Sequence, residues 1–407
     1  MLNINLVVVG HVDHGKSTLI GRLLYDTNSL KEKKMEEIQK IADEYKKKFE
    51  FAHLMDSLEE EVKEEKTIDT TQVIFKGKNY YTIIDAPGHK EFLKNMLTGA
   101  SFAQAAVLVV SAVEGVQEQT KRHLFLLKFL GLNHLFICIN KLDLKDYEKQ
   151  VFDQVKAETI NFLQVLQYRP KRLSFIPISA LNGDNIYVKS ANIPWYRDFT
   201  LIEALDEIEV NNQTNNEKTR FVVQDIYDID DNDQVIVGRV EAGKIKKDDS
   251  IVFSADGFSS KIKEIRVFNQ NIAQALPGDN IGIVLQDKNT IKRGEVAGLM
   301  ASPPQTKTRF NAEMFLLTDR LQLGESLILK CSTQRTSCAI KKILQKIDSA
   351  TGLPMNEDPD SLSANESALV EFETASPIVV ESFSQIPALG RFVIEKNHKN
   401  IAAGIIP

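Results

Sequence analysis

The sequence predicts an α/β domain built on a mostly parallel sheet, followed by two small β-barrels. Three observations carry this expectation. Short apolar runs alternate with helical apolar periods up to about residue 209, the texture then changes to closely spaced β-type runs, and Pro303-Pro304 interrupts those runs. At 407 residues the chain is too long for one core, and about three domains is the natural division.

Taken in order, residues 4–9, 80–84, 135–139 and 175–178 are short, mainly apolar runs of strand length, as strands covered on both faces require. Residues 121–130 and 149–166 repeat apolar side chains at three- and four-residue spacing and read as helices. Met35, Ile38, Ile41, Tyr45 and Phe49 do the same within abundant Lys and Glu, which suits an amphipathic helix with a solvated face. Residues 211–218 are polar and Asn-rich and read as a linker. Beyond it, residues 221–223, 235–240 and 281–285 are short β-type runs separated by Gly, Asp and Asn turns, and the same texture resumes from Phe310. The expected domains are therefore 1–209, 220–302 and 305–407.

Composition excludes some classes. Hydrophobic residues make up 43% and charged residues 26%, ordinary values for a globular protein. No stretch approaches the roughly 18 consecutive apolar residues of a membrane span, and the N-terminus enters a strand with no signal-like region. The expected location is cytoplasmic, with no membrane partner. Cys138, Cys331 and Cys338 lie in apolar contexts without paired ligand spacing and read as reduced structural residues. A net charge of −6 argues against a broad nucleic-acid surface while leaving room for a small basic face.

The first apolar run ends in Gly10-His11-Val12-Asp13-His14-Gly15-Lys16-Ser17-Thr18, a G-x-x-x-x-G-K-[ST] loop between a strand and a helix. Such a loop turns its backbone N–H groups and the helix N-terminus toward phosphate oxygens. Gly10 and Gly15 let the chain turn tightly, Lys16 faces the β- and γ-phosphates, and the Ser17 hydroxyl suits Mg²⁺. Asp85-Ala86-Pro87-Gly88-His89 follows the 80–84 run, where Asp85 can hold Mg²⁺ and Gly88 gives an N–H close access to the γ-phosphate. Asn140-Lys141-Leu142-Asp143 follows the next run. A carboxylate at Asp143 accepts from the guanine N1–H and 2-amino group, which adenine does not offer, so GTP is expected over ATP. Ser179-Ala180-Leu181 would close over the base.

In this order the motifs resemble the translational-type GTPases, the family of elongation factor Tu, elongation factor 1-alpha and the GTPase subunit of sulfate adenylyltransferase. The run Phe92-Leu93-Lys94-Asn95-Met96-Leu97-Thr98-Gly99-Ala100-Ser101 adds to the likeness, which extends over nearly the whole chain. It implies a P-loop GTPase domain followed by two β-barrels, with GTP and Mg²⁺ bound. It implies His89 as the residue that orients the attacking water, and Thr67 as the switch threonine that joins Ser17 and Asp85 at Mg²⁺. Glu65 and Lys66 stand where the family carries Gly and Ile.

Local features choose a branch. Lys121-Arg122-His123 and the run from Leu323 to Lys330 resemble the sulfate branch. Asn182-Gly183-Asp184-Asn185 and Ile193-Pro194-Trp195-Tyr196 resemble both that branch and elongation factor 1-alpha. Residues 356–390, with Gly390-Arg391-Phe392, look more like elongation factor 1-alpha. The expectation drawn is the large, GTPase subunit of sulfate adenylyltransferase, a nucleotidyltransferase assembly of sulfate assimilation. There it would couple GTP hydrolysis to adenosine phosphosulfate synthesis from ATP and sulfate by a smaller catalytic subunit, its partner. No second nucleotide signature such as Ser-Gly-Gly-x-Asp-Ser occurs, so adenylyl transfer would need that other polypeptide. The alternative is a translation elongation factor that delivers aminoacyl-tRNA to the ribosome, and nucleic acid is expected as a partner only on that alternative. A regulatory GTPase switch is the third class.

Overall fold

The computed structural model describes residues 3–30, 72–84, 103–208, 218–228, 234–267, 270–287, 290–317, 320–355 and 360–407. Thr67, Asp85, Gly88, His89, the amphipathic stretch 35–49 and all of the linker except Lys218 lie outside the described residues. The chain separates into two compact units. One runs to Val210 and includes Ser349–Leu353, and the other is chiefly Asn211–Asp348 and Pro354–Pro407.

The first unit is a six-stranded sheet of β1 (Asn3–Gly10), β2 (Gln72–Lys76), β3 (Tyr80–Ile84), β4 (Ala105–Ser111), β5 (His134–Asn140) and β6 (Arg172–Pro177), in the order β2-β3-β1-β4-β5-β6. Every pairing is parallel except that of the edge strand β2 with β3. All seven residues of β4 are buried, because helices cover both faces of a parallel sheet and leave no side for water. Helices α1 (Lys16–Asp26), α2 (Glu118–Phe129), α3 (Lys149–Val165) and α4 (Leu201–Asp206) supply that cover. On α1 the buried side chains are Leu19, Ile20, Leu23 and Leu24, and on α3 they include Phe152, Val155, Phe162 and Leu163. These stripes are the three- and four-residue periods of the sequence.

The second unit holds two closed barrels. Strands β7 (Arg220–Asp228), β8 (Gln234–Ala242), β9 (Ser250–Phe253), β10 (Ser259–Val267), β11 (Asn280–Leu285) and β12 (Val296–Leu299) run in the order β9-β12-β7-β8-β11-β10. The ring closes where Ser250 pairs with Lys261 and Val252 with Ser259. The other barrel has β13 (Thr306–Leu316), β14 (Leu327–Cys331), β15 (Gln334–Asp348), β16 (Glu366–Val379), β17 (Arg391–Lys396) and β18 (Lys399–Ile405) in the order β14-β17-β18-β13-β16-β15. Pairing of β14 with β15, Leu327 to Cys338 through Cys331 to Gln334, closes it. Closure removes the free edges that invite aggregation. Phe221, Ile236, Phe253 and Ile283 fill the first barrel, and Met314, Leu329, Phe372 and Phe392 fill the second.

The three cysteines are free and buried, and burial pushes their thiols well above the ordinary range. Among the described residues no helix is long and apolar enough to cross a membrane.

Candidate functional site

The motif loops that lie among the described residues gather at the carboxyl ends of β1, β5 and β6, the edge where open α/β sheets bind ligands. Strand β1 lies between β3 and β4, the point at which the strand order reverses, from β2 and β3 on one side to β4 on the other.

The loop after β1 is shaped by close approach. A Cβ on Gly10 would run into the Val109 carbonyl, and one on Gly15 into the Asn140 side chain. Gly15 also has φ +93°, so only glycine fits there without strain. Gly15 is the N-cap of α1, and with no side chain it leaves the first N–H groups of the helix uncapped. The first turn of α1 carries no acidic residue either. A helix start with neither cap nor carboxylate presents its donors and positive dipole end to an external anion. Lys16 curls over this start, its Nζ donating to the carbonyls of Gly10 (3.0 Å) and His11 (2.9 Å). Ser17 is exposed, Thr18 half-buried, and Val12 and Asp13 stand out into solvent. The Ser17 hydroxyl has no hydrogen-bond partner among the described residues, and an uncommitted oxygen beside a phosphate loop fits a hard cation such as Mg²⁺.

His11 and His14 have structural surroundings. His11 Nδ1 meets Gln119 Oε1 on α2, and the His14 ring is fully buried. Its Nδ1 lies 3.2 Å from the Ser111 amide nitrogen and 3.3 Å from the Val109 carbonyl. Burial pushes the His14 imidazole below its ordinary value, so it stays neutral and pins the loop to β4.

Asn140 ties three motifs together. Its Nδ2 donates to the His14 carbonyl (2.9 Å) and its Oδ1 accepts from the Ala180 N–H (2.8 Å). Both ends of the amide are thus engaged by backbone. Lys141 has φ 63°, a left-handed turn that starts the short 3-10 segment Leu142–Lys145. Asp143 within it is half-buried, and its carboxylate has no hydrogen-bond partner among the described residues. Ser179 and Ala180 are buried and Leu181 half-buried.

Sequence reading missed a polar network behind these loops. Tyr147 donates its hydroxyl to Asp184 Oδ2 (2.8 Å), and the other oxygen of Asp184 accepts from Ser190 Oγ (2.5 Å). Trp195 Nε1 donates to the Tyr147 carbonyl (2.9 Å). The Asn-rich run around Asp184 and the single tryptophan were the available signals, and both were used only as marks of resemblance.

Residues 1–211 match the elongation factor Tu GTP-binding domain, residues 233–298 elongation factor Tu domain 2, and residues 309–407 the GTP-eEF1A C-terminal domain-like family. Elongation factor 1-alpha of Methanothermobacter thermautotrophicus is 40% identical, aligned over 99% of this chain and 97% of its own. That of Pyrococcus horikoshii is 42% identical over the same shares. A solved structure of sup35 complexed with GDP aligns over 100% of this chain and 94% of that one, at 24% identity and a TM-score of 0.46.

The sulfate-branch expectation does not stand. Relatives named elongation factor 1-alpha align along almost the whole chain, including the stretches that suggested the sulfate-activating subunit. The smaller adenylyltransferase partner, the nucleotidyltransferase role in sulfate assimilation and the exclusion of nucleic acid fall with it. The physical reason is visible in those stretches. Arg122 pairs with Glu118 one turn earlier on α2 (2.6 Å), and His123 is buried. Leu327 and Leu329 fill a barrel core, and Glu325 accepts from the Gln322 N–H (2.9 Å) and pairs with Lys396. Side chains with such tasks answer to local packing, which two branches of one fold share, and say little about the partner.

Proposed function

As the chain belongs to the elongation factor Tu-type family of translational GTPases, we propose that it is a cytoplasmic translation elongation factor of the 1-alpha kind, which binds GTP and carries aminoacyl-tRNA to the ribosome. The observation that carries this reading is identity of 40–42% with proteins of that name across 99% of the chain and 97% of theirs. The domain division that accompanies it is 1–209 for nucleotide binding, with 220–302 and 305–407 as the two barrels.

In this reading the uncapped start of α1 receives the phosphates, with backbone N–H groups from Gly10 to Thr18 and the Lys16 ammonium compensating their charge. Asp143 reads the guanine N1–H and 2-amino group, with Lys141, Ala180 and Leu181 flanking the base and Asn140 and Ser179 holding the two loops together. Ser17, Thr67 and Asp85 would hold Mg²⁺, which when bound supplies positive charge to the β- and γ-phosphates. Gly88 senses the γ-phosphate through its N–H, and His89 orients the attacking water. Hydrolysis then needs no covalent intermediate, because positioning and charge compensation are the main contributions to phosphoryl transfer.

The test is a binding comparison. GTP-loaded protein is expected to retain aminoacyl-tRNA and to release it in the GDP form, and ribosomes are expected to stimulate its GTP hydrolysis. Equal retention of aminoacylated and deacylated tRNA in both nucleotide states would remove the delivery role.

A further inference from the structure

The turn that bears Asp143 adopts a costly backbone. Lys141, Asp146 and Tyr147 have φ of 63°, 49° and 56°, left-handed values that non-glycine residues hold only where surroundings impose them. Tyr147 is the anchor. Its N–H donates to the Leu142 carbonyl (2.9 Å) and its own carbonyl accepts from Trp195 Nε1 (2.9 Å). Its hydroxyl donates to Asp184 Oδ2 (2.8 Å) while accepting from Asn182 Nδ2 (3.0 Å).

Asp184 is 8% exposed and fully used. Beyond Tyr147 it accepts from Ser190 Oγ (2.5 Å) and Asn192 Nδ2 (3.3 Å), both on its Oδ1. It also sits in the second base-side loop: its N–H donates to the Ser179 carbonyl (3.1 Å), and the neighbouring Asn182 N–H donates to Ser179 Oγ (3.2 Å). One carboxylate therefore connects the turn that carries Asp143 to the loop that carries Ser179 and Ala180. A charged acceptor of this kind is stronger and more directional than a neutral one.

We propose that Asp184, acting through the Tyr147 hydroxyl, is a positioning residue for guanine selection, fixing the Asp143 carboxylate so that the N1–H and 2-amino group of the base are read together. The proposal rests on the guanine-reading role given to Asp143 above. If Asp184 only stabilised the fold, its loss would weaken all nucleotides alike. If it sets the carboxylate, its loss weakens selectively the nucleotide whose 2-amino group is being read.

Inosine differs from guanine by lacking that amino group, which defines the experiment. Dissociation constants for GDP, IDP and ADP are measured by titration on the full chain for the unmodified protein, Tyr147→Phe, Asp184→Asn and the double variant. Asp184→Asn turns one of the two acceptor oxygens into a donor, and Tyr147→Phe keeps the ring while removing the hydroxyl, so packing is largely retained. The preference for GDP over IDP is expected to fall about tenfold in each single variant, the scale of one lost charge-assisted hydrogen bond, and no further in the double variant. IDP affinity is expected to fall less than GDP affinity, because inosine keeps the N1–H contact and lacks only the 2-amino contact. A parallel fall in GDP and IDP affinity, with the ratio intact, overturns the positioning role while leaving the guanine reading in place. ADP binding as tight as GDP in the unmodified protein overturns the guanine reading, and the proposal with it.

Discussion

Asp143 shows what a single side chain is asked to do in this site: a half-buried carboxylate with no partner among the described residues, on a turn held in left-handed geometry. Asp143→Asn replaces one acceptor by a donor, so GTP affinity is expected to fall by about 10- to 100-fold, with binding of xanthosine triphosphate improved. Competitive titration with the two nucleotides measures this, and unchanged selectivity would count against Asp143 as the base-reading residue. Lys16 and His89 separate binding from chemistry. Lys16→Ala removes the ammonium that crosses the phosphate loop and is expected to abolish tight binding, whereas His89→Ala should leave affinity nearly intact and slow turnover. Single-turnover hydrolysis alongside equilibrium binding distinguishes the two, and equal losses of affinity would remove the catalytic role of His89. The sequence proposes these residues because each belongs to a short contiguous motif. Tyr147 and Asp184 were not legible there, because their partners lie 37 positions apart and only the fold brings them to 2.8 Å.

Helix ends carry the contrast at the level of elements. Helix α4 opens with a capping box, Thr200 Oγ1 accepting from the Glu203 N–H (3.3 Å) and Glu203 Oε2 from the Thr200 N–H (2.8 Å). Helix α1 has no such partner, and its sequence leaves the donors to a ligand. Thr200→Ala is expected to cost about 1 kcal/mol of stability, read from the unfolding midpoint, without altering nucleotide affinity. The helical periods in the sequence gave two helices well, since 121–130 and 149–166 became Glu118–Phe129 and Lys149–Val165. The strand runs also held, with 4–9 extended to Asn3–Gly10 and 281–285 to Asn280–Leu285. Apolar periodicity is a local consequence of which face is covered, so it survives without knowledge of the partner element.

On the scale of the molecule, the two barrels of the second unit are joined by a buried ion pair that no local pattern announced. Arg220, 2% exposed, donates from Nε to Glu381 Oε1 (2.8 Å) and from NH1 to the carbonyls of Thr219 (2.8 Å) and Ser302 (2.7 Å). Lys218 Nζ donates to the other oxygen of Glu381 (2.8 Å). Val222, Ala242, Val296, Val379, Ile386 and Leu389 form a small apolar cluster drawn from both barrels. Glu381→Gln leaves the Arg220 guanidinium buried without its counter-charge and is expected to cost about 3–5 kcal/mol in unfolding experiments. The pH dependence follows from the same contact. Burial raises the Glu381 carboxyl, but Lys218 and Arg220 outweigh it and hold the group below its ordinary value of 4.5. Its stabilising contribution is therefore present above about pH 4.5 and is lost as the pH falls through the lower folded-state value. Unfolding midpoints of the unmodified chain should drop over that acid range more steeply than those of Glu381→Gln, and parallel curves would show the pair to be inconsequential.

By itself the sequence determined the mostly parallel α/β sheet, the β-rich remainder and the place of the Gly10–Ser17 loop between a strand and a helix, because each is written in contiguous residues. The branch of the family was not determined in this way, since the segments that suggested it, Lys121-Arg122-His123 and Leu323 to Lys330, are occupied with an intrahelical pair and a barrel core. Tertiary structure alone decided the closure of the two barrels, the buried Arg220–Glu381 pair and the route from Asp184 through Tyr147 to the Asp143 turn. These depend on side chains far apart in the chain, whose meeting is fixed by how sheets close and loops cross rather than by any local preference.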